Sequence, residues 1–133
     1  TTTEDGALHY CRNLQTVSIP SSLTSIGSNF LGSSKVEDVK IPEGVTELKH
    51  QFLDNCSELK TVELPASLTK AGNLCIGCTA LQSVTCKAAT PPDLESAFGG
   101  VILAGVTLKV PSASVSAYEN AYIWNFRKSF VGL

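Results

Sequence analysis

The sequence holds no methionine, one tryptophan, three tyrosines and five phenylalanines among 133 residues. A core with so few aromatics must be filled by aliphatic side chains, so the spacing of Leu, Ile and Val carries the fold signal. Histidine is equally scarce, with only His9 and His50. A structural zinc site needs four Cys, His or carboxylate ligands, and "CIGC", Cys75 to Cys78, supplies two thiols with neither histidine clustered beside it. No metal and no cofactor is expected.

Long apolar runs are also missing. None approaches the roughly 20 residues a membrane span needs, so no membrane insertion is expected of this chain. An excess of positive charge is missing as well: ten Lys and Arg stand against twelve Asp and Glu, net −2. They are spread thinly and form no basic stripe to neutralise phosphates, which argues against nucleic acid as a partner. The opening "TTTEDGALHY" lacks the charged-then-apolar pattern of an export signal, so any such signal is absent or already removed. Five cysteines are an odd number and too sparse for a disulfide scaffold.

What the sequence does have is self-similarity. "IPSSLTSIG" (19–27), "IPEGVTELK" (41–49) and "LPASLTKAG" (64–72) are three versions of one segment. Leu14, Val17, Ile19, Pro20, Leu23, Ile26 and Phe30 recur as Val36, Val39, Ile41, Pro42, Val45, Leu48 and Phe52, each shifted by 22. The next unit, shifted by 23, reads Leu59, Val62, Leu64, Pro65, Leu68, Ala71 and Cys75, and a fourth begins with Leu81, Val84 and Cys86. "KAATPPDLES" then breaks the pattern, and Phe98 followed by Leu108, Val110 and Pro111 restores it as a modified last coil.

A unit of this length with one short strand cannot bury its own apolar side, but stacked units can. The expected fold is an α/β repeat, a right-handed solenoid with about five short parallel strands near Val17, Val39, Val62, Val84 and Leu108. Proline ends the first three and the last, where a missing donor does least harm. "SNFLGSS" and "HQFLDNC" should form tight 3₁₀-like turns that drive Phe30 and Phe52 inward. Gly27 and Gly72 mark a place needing positive φ or close backbone approach, although Lys49 fills it in the middle coil.

From Ser112 the spacing turns helical, with Val115, Tyr118, Tyr122 and Phe126 three or four apart, predicting a helix near 113–122 whose aromatic side, with Trp124, caps the last coil. The chain reads as one domain, 1–133: a partial first coil (1–10), regular coils (11–86), a modified coil (87–111) and a helical cap (112–133). At the N-terminal edge three expectations compete. The chain is the C-terminal piece of a longer repeat protein, it self-associates edge to edge, or residues 1–6 fold back as a cover.

The run from Cys11 to Phe30 follows C-x-x-L-x-x-V-x-I-P-x-x-L-x-x-I-G-x-x-F and resembles the BspA-like leucine-rich repeats. The ending "AATPPDLESAF … TLKVPSASVSAYENAYIWNF" resembles that of bacterial members, through Pro91, Pro92, Val110, Pro111, Tyr118 and Trp124. The resemblance implies an extracellular or cell-surface protein of host-associated bacteria, some members being adhesins for host matrix proteins. It brings no catalytic set.

The alignment also sorts residues by ladder. Cys11, Ser33, Cys56 and Cys78 share one position, with Cys75 and Cys86 on other inward ones. All five cysteines are expected inside as small apolar residues, with a Cys56–Cys78 disulfide between coils as the alternative. Lys35 should face Glu58, Glu37 face Lys60, Lys40 face Glu63 and Glu47 face Lys70, fixing register. Thr24, Thr46 and Thr69 form a hydroxyl row on the return side. The strand face, Thr16, Ser18, Asp38, Lys40, Thr61, Glu63, Ser83 and Thr85, is the candidate binding face. For catalysis nothing assembles: no Ser stands in a nucleophile elbow, and Glu37 and Asp38 point to opposite sides of a strand. The expected function is a non-enzymatic protein-interaction or adhesion module, with a glycan-binding accessory domain or a ligand-free spacer as alternatives.

Overall fold

In the computed structural model, residues 1–96, 105–124 and 130–133 are described, and the chain winds as a solenoid with two parallel sheets. The elements run β1 (Ser25–Ile26), β2 (Asp38–Lys40), β3 (Glu47–Leu48), β4 (Thr61–Leu64), β5 (Lys70–Ala71), β6 (Ser83–Cys86), β7 (Asp93–Leu94) and β8 (Thr107–Val110). A 3₁₀ turn (Ser112–Ser114), α1 (Val115–Asn120) and β9 (Phe130–Gly132) follow. Strands alternate between sheets, ordered β1-β3-β5-β7 on the return side and β2-β4-β6-β8-β9 on the other. Among the described residues the coils contain no helix; helical turns are confined to 112–120.

Register follows the repeat. Val39 lies beside Val62 and Val62 beside Val84, while Leu48 lies beside Ala71 and Ala71 beside Leu94. These inward residues are buried and form one continuous core, and equivalent residues from successive coils supply what no single coil could. Proline makes four of the five equivalent corners. Pro20, Pro42, Pro65 and Pro111 accept, through their carbonyls, the N–H groups of Leu23, Val45, Leu68 and Ser114 at 3.2, 3.4, 3.3 and 2.7 Å. The fourth coil has Lys87 there, and its N–H donates to Leu64 O at 3.1 Å, extending the ladder where a proline has no donor.

The phenylalanine corners are chains of i→i−3 bonds, as expected. Ser34 N–H donates to Leu31 O at 3.2 Å and Asp54 N–H to Gln51 O at 3.3 Å. Phe30 and Phe52 stack inside with ring centroids 6.1 Å apart. The positive-φ sites are not where the glycines suggested. Gly27 serves close approach alone, since a Cβ there would stand 2.7 Å from Glu4 O. The left-handed residues are Tyr10, Ser33, Asn55 and Gly77 at one level of the corners, Gly6, Asn29 and Gln51 at another, and Gly44 and Cys75 besides.

Three further expectations are corrected. Residues near Val17 form no strand: one bond at this level, Glu37 N–H to Gln15 O at 3.4 Å, ties the segment to the next coil. A gap of about 310 Å³ opens between Val17–Ile19 and Lys40 and Pro42. The fifth strand of that sheet is β9 instead, paired in parallel with β8. Residues 1–6 do not fold across the edge. They extend the return sheet, with Thr2 bridging Ser25, Thr24 N–H donating to Thr1 O at 2.8 Å and Gly6 N–H to Ser28 O at 2.7 Å.

The cap is shorter than expected. A six-residue helix is too short to stand alone, and Tyr118 holds it down: the ring is buried, and its hydroxyl donates to Ala88 O at 2.8 Å. Trp124 is buried too, edge-on to Tyr118 at 5.2 Å, with Nε1 donating to Pro92 O at 2.9 Å. Ala121 already has extended backbone, which turns Tyr122 out of the helical stripe, and that ring is 94% exposed. Phe98 and Phe126 lie outside the described residues.

Candidate interaction face

Side chains alternate along a strand, so the residues flanking Val39, Val62, Val84 and Leu108 must point outward. They line up in two columns, Asp38–Thr61–Ser83–Thr107 and Lys40–Glu63–Thr85–Lys109. Asp38 and Lys40 are exposed, and the other six are half-buried between their neighbours. Thr16 and Ser18 are exposed but lie off the sheet, so six of the eight candidate residues share one regular surface.

The columns are cross-linked. Thr61 Oγ1 donates to Asp38 Oδ1 at 2.5 Å. Glu63 takes Lys40 at 3.4 Å on one side and Lys87 at 2.5 Å on the other. The Lys87 hydrogen bond, with Lys40 adding to it, holds the Glu63 carboxyl below its usual range, and Glu63 in turn raises Lys87. Lys35–Glu58 at 3.3 Å and Lys60–Glu37 at 2.5 Å complete three of the four expected pairs. The fourth differs: Lys70 lies beside Glu47 in register, but its Nζ reaches Glu95 at 3.9 Å, where His50 Nδ1 also arrives at 3.3 Å. Glu95 lies outside the repeat pattern, so alignment alone could not pair it.

On the return side the threonine row forms a hydroxyl ladder. Thr46 Oγ1 donates to Thr24 O at 3.3 Å and Thr69 Oγ1 to Thr46 O at 3.0 Å. With their hydroxyls satisfied by the coil before, these residues serve the stack.

All five cysteines are free thiols, Cys11 half-buried and the rest buried. Cys56 Sγ donates to Leu31 O at 3.1 Å and Cys78 Sγ to Leu53 O at 3.0 Å. Their partner one coil earlier is Ser34, whose Oγ lies 3.6 Å from Cys56 Sγ, and not Ser33, which is left-handed and half-buried. Asp54 is buried at the same corner and accepts Ile76 N–H at 3.1 Å; burial raises its carboxyl above the usual range. Among the described residues no group of three or more His, Cys, Asp or Glu is placed to hold a metal ion. Nor, among them, is any helix long and apolar enough to cross a membrane.

A family model, the BspA type leucine rich repeat region, matches residues 1–123 as six copies. The chain belongs to that family, a repeat fold of the non-catalytic, protein-interaction kind. No curated protein and no solved structure matches it.

Proposed function

We propose that the chain is a non-enzymatic interaction or adhesion module of a bacterial surface protein, working outside the cell, and that its outward strand face receives the partner. The observation that carries this is the pair of columns, Asp38–Thr61–Ser83–Thr107 and Lys40–Glu63–Thr85–Lys109. Mixed charge and hydroxyls on a rigid parallel ladder give a preorganised polar surface, which lowers the ordering cost of association. Family membership supports the surface assignment. Host matrix proteins and other surface proteins are the proposed partners, and Thr16 and Ser18 would extend the face toward the first coil.

The test is a binding screen of the purified chain against host matrix proteins and a glycan array, with Asp38→Lys/Glu63→Lys as control. The reading expects a protein hit that the charge-reversed variant loses; a hit that survives it places binding elsewhere. A second reading, glycan binding, draws on Tyr122. Its bare ring borders a groove of about 360 Å³ lined by Pro91, Pro92, Asp93, Leu94 and Ile123, a platform on which a flat apolar ligand face can stack. Array hits abolished by Tyr122→Ala would support it, and silence in both screens would favour a spacer. Self-association along the Thr16–Ser18 edge is checked by light scattering, where a strictly monomeric species at high concentration removes it.

A further inference from the structure

Cys75, Ile76, Gly77 and Cys78 form one turn, closed by Cys78 N–H donating to Cys75 O at 3.3 Å. Gly77 is third in it with φ +75°, the place where a type II turn takes glycine, and a Cβ there would stand 2.5 Å from Asn55 Oδ1. A turn closed this way holds its end Cα atoms within about 7 Å, and disulfides span about 4.4–6.8 Å between Cα atoms. Both thiols are buried and stand at the two ends of this single turn.

We propose that Cys75 and Cys78 are a modification site, an oxidisable pair that closes to a disulfide across this turn when the chain meets a low-molecular-weight disulfide. One cysteine thiolate attacks the disulfide RSSR and expels RS⁻. The second attacks the resulting mixed disulfide, forming the Cys75–Cys78 bond and expelling another RS⁻. The protein thiols lose two hydrogens, and RSSR is reduced to two RSH.

Cys56 is the rival partner, one coil away. Joining Cys56 to Cys78 would remove both thiol donors, leaving Leu31 O and Leu53 O each with its backbone donor alone, Ser34 N–H and Cys56 N–H. Closing Cys75 on Cys78 removes only one of them, the Cys78 thiol donor to Leu53 O. The neighbouring Cys78 thiol and burial hold the Cys75 thiol well above its ordinary pKa, so exchange waits for the turn to open. The ring closed is short and constrains the unfolded chain little, so the bond marks a redox state more than it staples the fold.

The experiment equilibrates the folded, reduced chain with oxidised and reduced glutathione without denaturant, quenches in acid, alkylates free thiols and maps tryptic peptides. Cys75, Cys78 and Cys86 fall in peptide 71–87 and Cys56 in peptide 50–60. The expected result is peptide 71–87 with a single alkyl group, on Cys86, and peptide 50–60 fully alkylated. Cys56→Ser should give the same map, since Ser34 shows that a hydroxyl fits that rung, and Cys78→Ser should abolish closure. Peptides 50–60 and 71–87 linked together, glutathione left on Cys75 without closure, or all five thiols alkylated at equilibrium would each overturn the assignment.

Discussion

The outward strand face and the phenylalanine corner both repeat from coil to coil, and they divide regularity and burial in opposite ways. The face is regular strand, yet its side chains are charged, exposed or half-buried, and tied by ion pairs such as Lys40–Glu63. The corner has no regular secondary structure and a left-handed residue every few positions, yet Leu31, Phe52, Leu53 and Cys56 within it are fully buried. Its backbone is also bonded coil to coil: Leu31 N–H to Phe52 O at 3.1 Å, Ser33 N–H to Asp54 O at 2.8 Å, Asn55 N–H to Ile76 O at 2.6 Å. In this solenoid the irregular segment belongs to the stability core, and the regular one presents a polar surface outward.

Breaking the corner should therefore cost most. Phe52→Ala removes a fully buried ring stacked on Phe30, and urea unfolding should show a loss of about 3–5 kcal/mol. A milder probe is Asp54, whose folded-state pKa is raised by burial. Its contribution is fully present below the unfolded Asp value of about 3.9 and is lost as pH rises through the folded value. Asp54→Asn keeps an acceptor for Ile76 N–H and should stabilise the chain at pH 7 relative to wild type, an advantage that disappears at pH 3; unfolding at both pH values checks it.

Glu63 on the face has the opposite sign. Its folded pKa is lowered by Lys87 and Lys40, so its contribution is present above the unfolded Glu value of about 4.3 and lost as pH falls through the folded one. Glu63→Gln should cost about 0.2–1 kcal/mol at neutral pH, and the difference should shrink in 1 M salt because exposed pairs are screened.

The two regions also differed in how much of them could be read from sequence. Strand positions and three ion pairs follow from apolar residues and charges at a fixed shift, since a parallel ladder sets like residues side by side. The corner gave away its phenylalanines, its inward cysteines and its tight turns, but not its left-handed residues. Left-handed backbone at Ser33 and Gln51 has no glycine to announce it; Asn55 and Gly77, aligned with Ser33, were the available hint. The one-residue slip from Ser33 to Ser34 came from the change of repeat length within that corner. β9 is three residues whose pairing depends on the cap, and Tyr122 left its stripe because the helix stops at Asn120. For the face, the outward residues were legible, while the failure of Thr16 and Ser18 to join the sheet was not, because pairing at an edge depends on what packs there.

Native-state hydrogen exchange tests the division most directly. The amides of Leu31, Ser33 and Asn55 should exchange as slowly as those of β4 and β6, through global unfolding alone. Exchange at those three sites through local opening, well ahead of the strands, would contradict the assignment of the corner to the stability core.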